Sequence, residues 1–358
     1  MAGRQGLRSD AAAQRDRPSN CQCVRSKRDK EHSMTTQKLG WLLAVAMMAL
    51  TAPMPAQAQP YPARTIKLMV PWPAGGATDN VARVVAQKLA PILGQPVVVE
   101  NRAGATGTIG TQLVIQSPPD GYTLVFMAAS LHTFSPHLMK DMAFDTVADI
   151  TPISMSVLFP YVLAVSTDSP YKNVTDLIRA AKTQPGKLTY GSFGIGSGPN
   201  IVTELFKQQT GTDILHVPYK GGSQLTAGLL GNEVSMMFDS LPSPLGQIRG
   251  GKFRALAVTG GERSPVVPDV PTLKESGVNI EAIIWLGLGG PPKMSPDIVS
   301  KLFEAMKQVA RDVEVQKRIS DMGAQATVSA SPQQFREFML AERERWGRVI
   351  RDAKISSD

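Results

Sequence analysis

Nine residues, "PWPAGGATD" from Pro71 to Asp79, are the first in this 358-residue chain whose types and spacing suggest a binding chemistry. They join a strand-like run, "TIKLMV", to a helix-like run, "NVARVVAQKLAPIL". Backbone N–H groups in the first turn of a helix have no intrahelical partner and sit at the positive end of its dipole, so a glycine-rich lead-in favours an anion. Gly75 and Gly76 can adopt positive φ and leave room for close approach. Thr78 or Asp79 could equally cap the helix and satisfy the same donors, which would make the stretch a plain turn. These residues alone leave both readings open.

A second stretch repeats the pattern. "TYGSFGIGSGPNIVTELF" again reads as strand, Gly-rich loop and helix start, about 120 residues downstream. The loop from Gly191 to Gly198 has no lysine, which excludes a P-loop, and Gly194, Gly196 and Gly198 miss the G-x-G-x-x-G dinucleotide spacing. Two such units would set two helix N-termini across a cleft.

Catalytic chemistry finds little support. There is no G-x-S-x-G elbow and no H-E-x-x-H motif. His132 and His137, in "LHTFSPH", read as surface or capping groups, and His216 as a hydrogen-bonding group near the cleft. Asp239 follows "VSMMF" at a strand's C-terminal end, where open α/β sheets hold ligand-contacting groups, or else caps the helix over "SLPSPLGQIRGG". No catalytic residue, metal ligand or cofactor is assigned.

The elements that must position these loops alternate strand and helix, the signature of an α/β architecture. Strands are expected at "TIKLMVPW", "PVVVEN", "YTLVFM", "KLTYGSF", "DILHVPY", "VSMMFDS", "FRALAVT" and "EAIIWLGLGGPP". Helices close the chain from Ser295 onward, with Phe338, Leu340, Trp346 and Ile350 as packing residues of an amphipathic scaffold helix.

The N-terminus reads as an export signal. Lys38, an apolar core from Leu39 to Leu50 and the small-x-small triplet Ala56-Gln57-Ala58 follow Met34, predicting a signal peptide over residues 34–58. The core is too short to span a bilayer. Residues 1–33 read as a disordered basic lead or a miscalled start. Removing residues 1–58 lowers the net charge from +8 to about +3 and takes away both cysteines, Cys21 and Cys23. The remainder has no thiol chemistry, and with 6% aromatic residues and no basic stripe it lacks a nucleic-acid surface.

"YPARTIKLMVPWPAGGATDNVARVVAQKL", "VVVENRAGATGTIG", "PPDGYTLVF", "GKLTYGSFGIGS", "HVPYKGG", "MMFDSLPS", "GKFRALAVT" and "PDVPTLKESG" together resemble the Bug family, the TctC-like periplasmic solute receptors of tripartite tricarboxylate transporters. The resemblance runs from about Tyr61 to the C-terminus. It implies a two-lobed, type II periplasmic-binding-protein fold, each lobe a mainly parallel sheet flanked by helices. Lobe 1 is expected over 59–160 plus 285–358 and lobe 2 over 161–284, hinged near Val162 and Leu286. It further implies a non-enzymatic periplasmic receptor that captures a small carboxylate-bearing metabolite for membrane transporter subunits; no sequence feature indicates oligomerisation, so a monomer is the default expectation. A signalling receptor or an exported enzyme on small organic acids is the alternative.

Carried over by position, the first pincer loop gives Trp72, Ala74, Gly75, Gly76, Thr78 and Asp79, with Ser130 as a further first-lobe hydroxyl. The second lobe gives Ser192, Gly194, Gly196 and Ser197, with Tyr219 and Asp239. Phe193 and Ile195 depart from the family's smaller or more polar residues and imply a more apolar pocket.

Overall fold

Ile66, Leu68 and Val70 alternate onto a buried face of β1 (Ile66–Val70), and the three- and four-residue spacing of Val81, Val84, Val85 and Leu89 buries one side of α1 (Ala77–Leu93) in the computed structural model, which describes residues 61–355. The expected export signal and basic lead lie outside the described residues. The first half continues through β2 (Val97–Asn101), α2 (Thr108–Ile115) and β3 (Thr123–Ala128), then a π-helical turn at Ser130–Phe134 that runs into α3 (Ser135–Leu138).

The next element, β4 (Thr151–Ser166), is 16 residues long and answers to no strand read in the sequence. Its run "TPISMSVLFPYVLAVS" shows no alternation because both faces are covered, and Pro152 and Pro160 mask it further. After it come α4 (Val174–Thr183), β5 (Thr189–Ser192), α5 (Gly198–Thr210), β6 (Leu215–Pro218), α6 (Gly222–Leu230), β7 (Met236–Ser240), α7 (Leu245–Arg249) and β8 (Phe253–Val258). The chain then returns through β9 (Ile283–Gly290) and ends in α8 (Pro296–Arg311), α9 (Val313–Asp321), the short β10 (Gln325–Ala326) and α10 (Pro332–Asp352).

The strands order as β2-β1-β3-β9-β4-β7-β5-β6, with β8 and β10 also paired to β4. The outer strands are parallel: β1 pairs with β2 and β3, and β5 with β6 and β7. The centre is antiparallel. From Thr151 to Pro160, β4 pairs with β9, and from Tyr161 onward it pairs with β7 and β8. One strand therefore serves both halves of the sheet. Val162 and Leu286, expected in crossover segments, lie fully buried inside β4 and β9.

Thr259 fastens the point where β4 passes from one half to the other. Its hydroxyl accepts from the Tyr161 amide at 2.8 Å and donates to the Ala282 carbonyl at 2.6 Å. Its own amide donates to the Tyr161 carbonyl at 2.9 Å.

Separate apolar clusters fill the two halves. One joins β1, β3, α1, α8 and α9, and another joins β5, β7, α4 and α5. The C-terminal helix α10 reaches both sides: Phe335 and Met339 pack around Trp285, while Trp346 and Ile350 belong to the cluster with α5. Phe338 is partly buried against the Trp285 cluster, but Leu340 is exposed and does not pack.

Two histidines lie deeper than a surface role requires. His137 hydrogen-bonds the Arg343 carbonyl at 2.7 Å and docks α3 on α10. His132 is fully buried beside Trp285, with ring centroids 5.7 Å apart. Its Nδ1–H donates to the Thr146 carbonyl at 2.7 Å, so Nε2 is left as an acceptor. Burial holds its pKa down to about 4, opposed by that backbone contact.

Candidate functional site

The two glycine loops prove equivalent in detail. Gly75 and Gly196 each precede a helix N-cap by one residue, with φ of +81° and +79°. In both loops that glycine's amide donates to the side chain four residues on, Gly75 to Asp79 Oδ2 at 2.8 Å and Gly196 to Asn200 Oδ1 at 2.9 Å. The side chain at the third helical position thus reaches back to the loop. Neither N-cap, Gly76 or Ser197, makes a side-chain capping bond, so the first-turn donors of α1 and α5 are not used up by a cap. Asp79 accordingly ties the loop and does not cap the helix. Gly76 has φ −75° and needs no special backbone freedom; Gly75 does.

Asp79 is 2% exposed and also accepts from Arg83 Nε at 2.9 Å and Asn101 Nδ2 at 2.9 Å. Burial would raise its pKa, but the Arg83, Gly75 and Asn101 hydrogen bonds outweigh that and hold it below the usual carboxylate range. Asp79→Ala should therefore cost about 1–2 kcal/mol in urea denaturation, because the Gly75 amide, the Asn101 amide and the Arg83 guanidinium all lose their acceptor. The depressed pKa fixes the sign. This stabilisation is present above the unfolded value of about 3.9 and is lost as pH falls through the lower folded value.

The second loop stands on its own network. Ser192 Oγ sits 2.6 Å from His216 Nε2 and accepts from the Gly194 amide at 3.0 Å. His216 stacks on Tyr190 at 4.8 Å, and the Tyr190 hydroxyl links Asn200 to Glu204. The Ser197 hydroxyl donates to the Gly194 carbonyl at 2.7 Å.

A cavity of about 500 Å³ opens where the loops meet the sheet. Of the residues expected from the sequence, Trp72, Thr78, Ser130, Gly196, Ser197 and Asp239 line it. Ala74, Gly75, Gly76, Asp79, Ser192 and Gly194 do not; Asp79 and Ser192 brace the loops from behind. Tyr219 is also outside, its hydroxyl 3.1 Å from Glu233 and its ring against Gly228.

Sequence reading missed the floor of the cavity. Phe159 and Tyr161 come from β4, and Ile284 and Leu286 from β9. Their signal was the unread apolar run of β4, whose side chains face the cavity only once the strand is seen to cross the sheet. Ala105 and Thr106 add a wall from the "RAGATG" segment, where both residues have positive φ.

Asp239 is buried and accepts from the Ser240 amide at 2.7 Å, with the Ser240 and Ser243 hydroxyls as further donors. Burial outweighs these bonds and pushes its pKa up to about 6. Tyr161, buried beside this carboxyl, has its pKa raised by burial and by the Asp239 charge.

A mixed α/β sheet with two matching loop–helix starts over one cavity defines the periplasmic-binding-protein class of fold. Its members include an R. palustris protein solved with adipate, 33% identical with a TM-score of 0.77 over 82% of this chain and 99% of that one. MatC from Rhodopseudomonas palustris with bound malate is 30% identical, with a TM-score of 0.72 over 81% and 100% of the two chains. The family model described as "Tripartite tricarboxylate transporter family receptor" matches residues 81–355, and the chain belongs to that family. Protein BugT of Bordetella pertussis is 36% identical over 316 residues, 88% of this chain and 95% of its own. No helix among the described residues is long and apolar enough to cross a membrane.

Proposed function

We propose that the chain is a non-enzymatic periplasmic receptor that captures a small carboxylate-bearing metabolite and presents it to the membrane subunits of a tripartite tricarboxylate-type transporter. The observation that carries this reading is the pair of uncapped helix starts, α1 and α5, at one cavity. A carboxylate between them would accept from first-turn amides and gain from both dipoles. Relatives solved with adipate and malate support the ligand class. Membership of the receptor family supports the transporter partner, and the signal peptide expected over residues 34–58 supports export to the periplasm.

Trp72, Thr78, Ser130, Gly196, Ser197 and Asp239 are the proposed contacts. Ala74, Gly75, Gly76, Asp79, Ser192, Gly194 and Tyr219 act at one remove, through the shape of the loops and the second half of the sheet. The halves 59–160 plus 285–358 and 161–284 close on the ligand by a hinge within β4 and β9, near Val162 and Leu286. Monomeric action is the simplest state for such a clamp.

A thermal-shift screen of mono-, di- and tricarboxylates tests the reading. At 100 times its dissociation constant a ligand stabilises by about 2.7 kcal/mol, an upward shift of several degrees for a chain of this length. No shift with any acid would refute it.

A further inference from the structure

The braces behind the two loops differ in one chemical respect. Behind the first, Asp79 is a carboxylate and either oxygen can accept: Oδ2 takes the Gly75 amide and Arg83, and Oδ1 takes Asn101. Behind the second, Asn200 carries an amide with one accepting end and one donating end. Its Oδ1 takes the Gly196 amide at 2.9 Å; turned over, the side chain would set Nδ2–H against that N–H and hold nothing. Asn200 is 3% exposed, so water does not decide which way it faces.

A directed relay decides it. Asn200 Nδ2 donates to Tyr190 Oη at 2.7 Å, and Tyr190 Oη donates to Glu204 Oε1 at 2.6 Å. The same Glu204 oxygen accepts from Lys207 Nζ at 2.9 Å. A carboxylate has no proton to return, so the tyrosine hydroxyl points its hydrogen at Glu204 and its lone pairs at Asn200. We infer that Tyr190, fully buried on β5 and outside the cavity, is a positioning residue for the ligand. By fixing the direction of the Asn200 amide it holds the Gly196 turn, and with it Gly196, Ser197 and Gly198 of the cavity wall. The step from turn to ligand rests on the carboxylate-receptor reading above; the relay itself does not.

Amide hydrogen exchange read by NMR, with calorimetric titration of succinate, adipate and benzoate, tests this on the wild-type chain, Tyr190→Phe and Glu204→Ala. Tyr190→Phe keeps the ring that His216 stacks on and removes the acceptor of Asn200 Nδ2. The Gly196 amide should then exchange at least tenfold faster, while the Gly75 amide, its counterpart in the first loop, stays within twofold. Whichever acid binds the wild-type chain most tightly should bind this variant at least fivefold more weakly. Glu204→Ala, at a partly exposed position, serves should Tyr190→Phe fail to fold. It frees the hydroxyl to turn its hydrogen toward Asn200, and both effects should recur at threefold or more. Equal acceleration of the Gly196 and Gly75 amides marks a general loosening of the fold and overturns the inference. An unchanged Gly196 rate in a folded variant overturns it too, as does faster Gly196 exchange with unaltered affinity. Silence of the wild-type chain to all three acids overturns the receptor reading, and the ligand role of Tyr190 falls with it.

Discussion

Gly198→Ala should lower stability by about 1–3 kcal/mol and weaken ligand binding tenfold or more. A Cβ at this position would lie 2.0 Å from Tyr161 Oη and 2.9 Å from its Cζ, in a part of the structure where Tyr161 is 4% exposed and has nowhere to retreat. Either the first turn of α5 backs away from β4 or the ring leaves its place on the cavity floor. Both responses alter the site, because Gly198 and Tyr161 both line it. Tyr161→Phe removes the clashing oxygen, so the double variant should recover part of the lost stability, a coupling expected of residues in direct contact. Gly76→Ala is the control. Its Cβ would sit 3.5 Å from the Pro73 carbonyl, at a negative φ, and should change stability little. Thermal denaturation and calorimetry on the four proteins measure both effects.

Between pH 4 and 6.5 two buried groups of the wild-type chain should pull its stability in opposite directions, and a substitution at either should tilt the profile toward the other. His132 titrates near 4 in the folded state against an ordinary value of 6.5, so the unfolded chain binds the extra proton and stability falls as pH drops through this window. Asp239 titrates near 6 against an ordinary value of 3.8, so the folded chain binds the extra proton and stability falls as pH rises through the same window. Each effect amounts to about 3 kcal/mol over its range. The two oppose each other. Asp239→Asn leaves the histidine unopposed and should make the protein acid-sensitive by about that amount. His132→Asn, whose amide can still donate to the Thr146 carbonyl, leaves the carboxyl unopposed and should give a profile that declines from pH 4 to 6. Urea denaturation across this range reads both slopes. Parallel profiles for the three proteins would exclude this opposition.

The site was legible in the sequence to the extent that it depends on local backbone chemistry. "PAGGATDN" and "GIGSGPNI" each announce a glycine, a cap position and a polar third helical residue, and these became the matched pairs Gly75–Asp79 and Gly196–Asn200. What each side chain faces was not legible there. Asp79, Ser192 and Tyr219 have the chemistry of ligand contacts, yet their partners are Arg83, His216 and Glu233, two of them brought in from other elements by the fold. The same limit hid β4. Alternation marks a strand with one wet face, and β4 has none. It also misplaced His132, which the "LHTFSPH" stretch suggested as a surface or capping group and which is fully buried beside Trp285. Leu340 erred the other way, as an apolar residue in a helical stripe that the structure leaves in water.

The shared strand also has a consequence for the order in which the chain is made. Between β3 and β4 lies β9, with Phe126 paired to Leu288 and Phe159 to Ile284, so the gap in the first half of the sheet is filled by residues synthesised long after both of its flanks. The apolar cluster of that half likewise waits for Leu302, Phe303 and Met306 of α8 and Ile319 of α9. An emerging N-terminal portion can pair β1, β2 and β3 but cannot close its core, however long it is given. Folding of this half is therefore a late event, concluded only when the last third of the polypeptide has been released, and any truncation before β9 should yield a chain that stays soluble only with help.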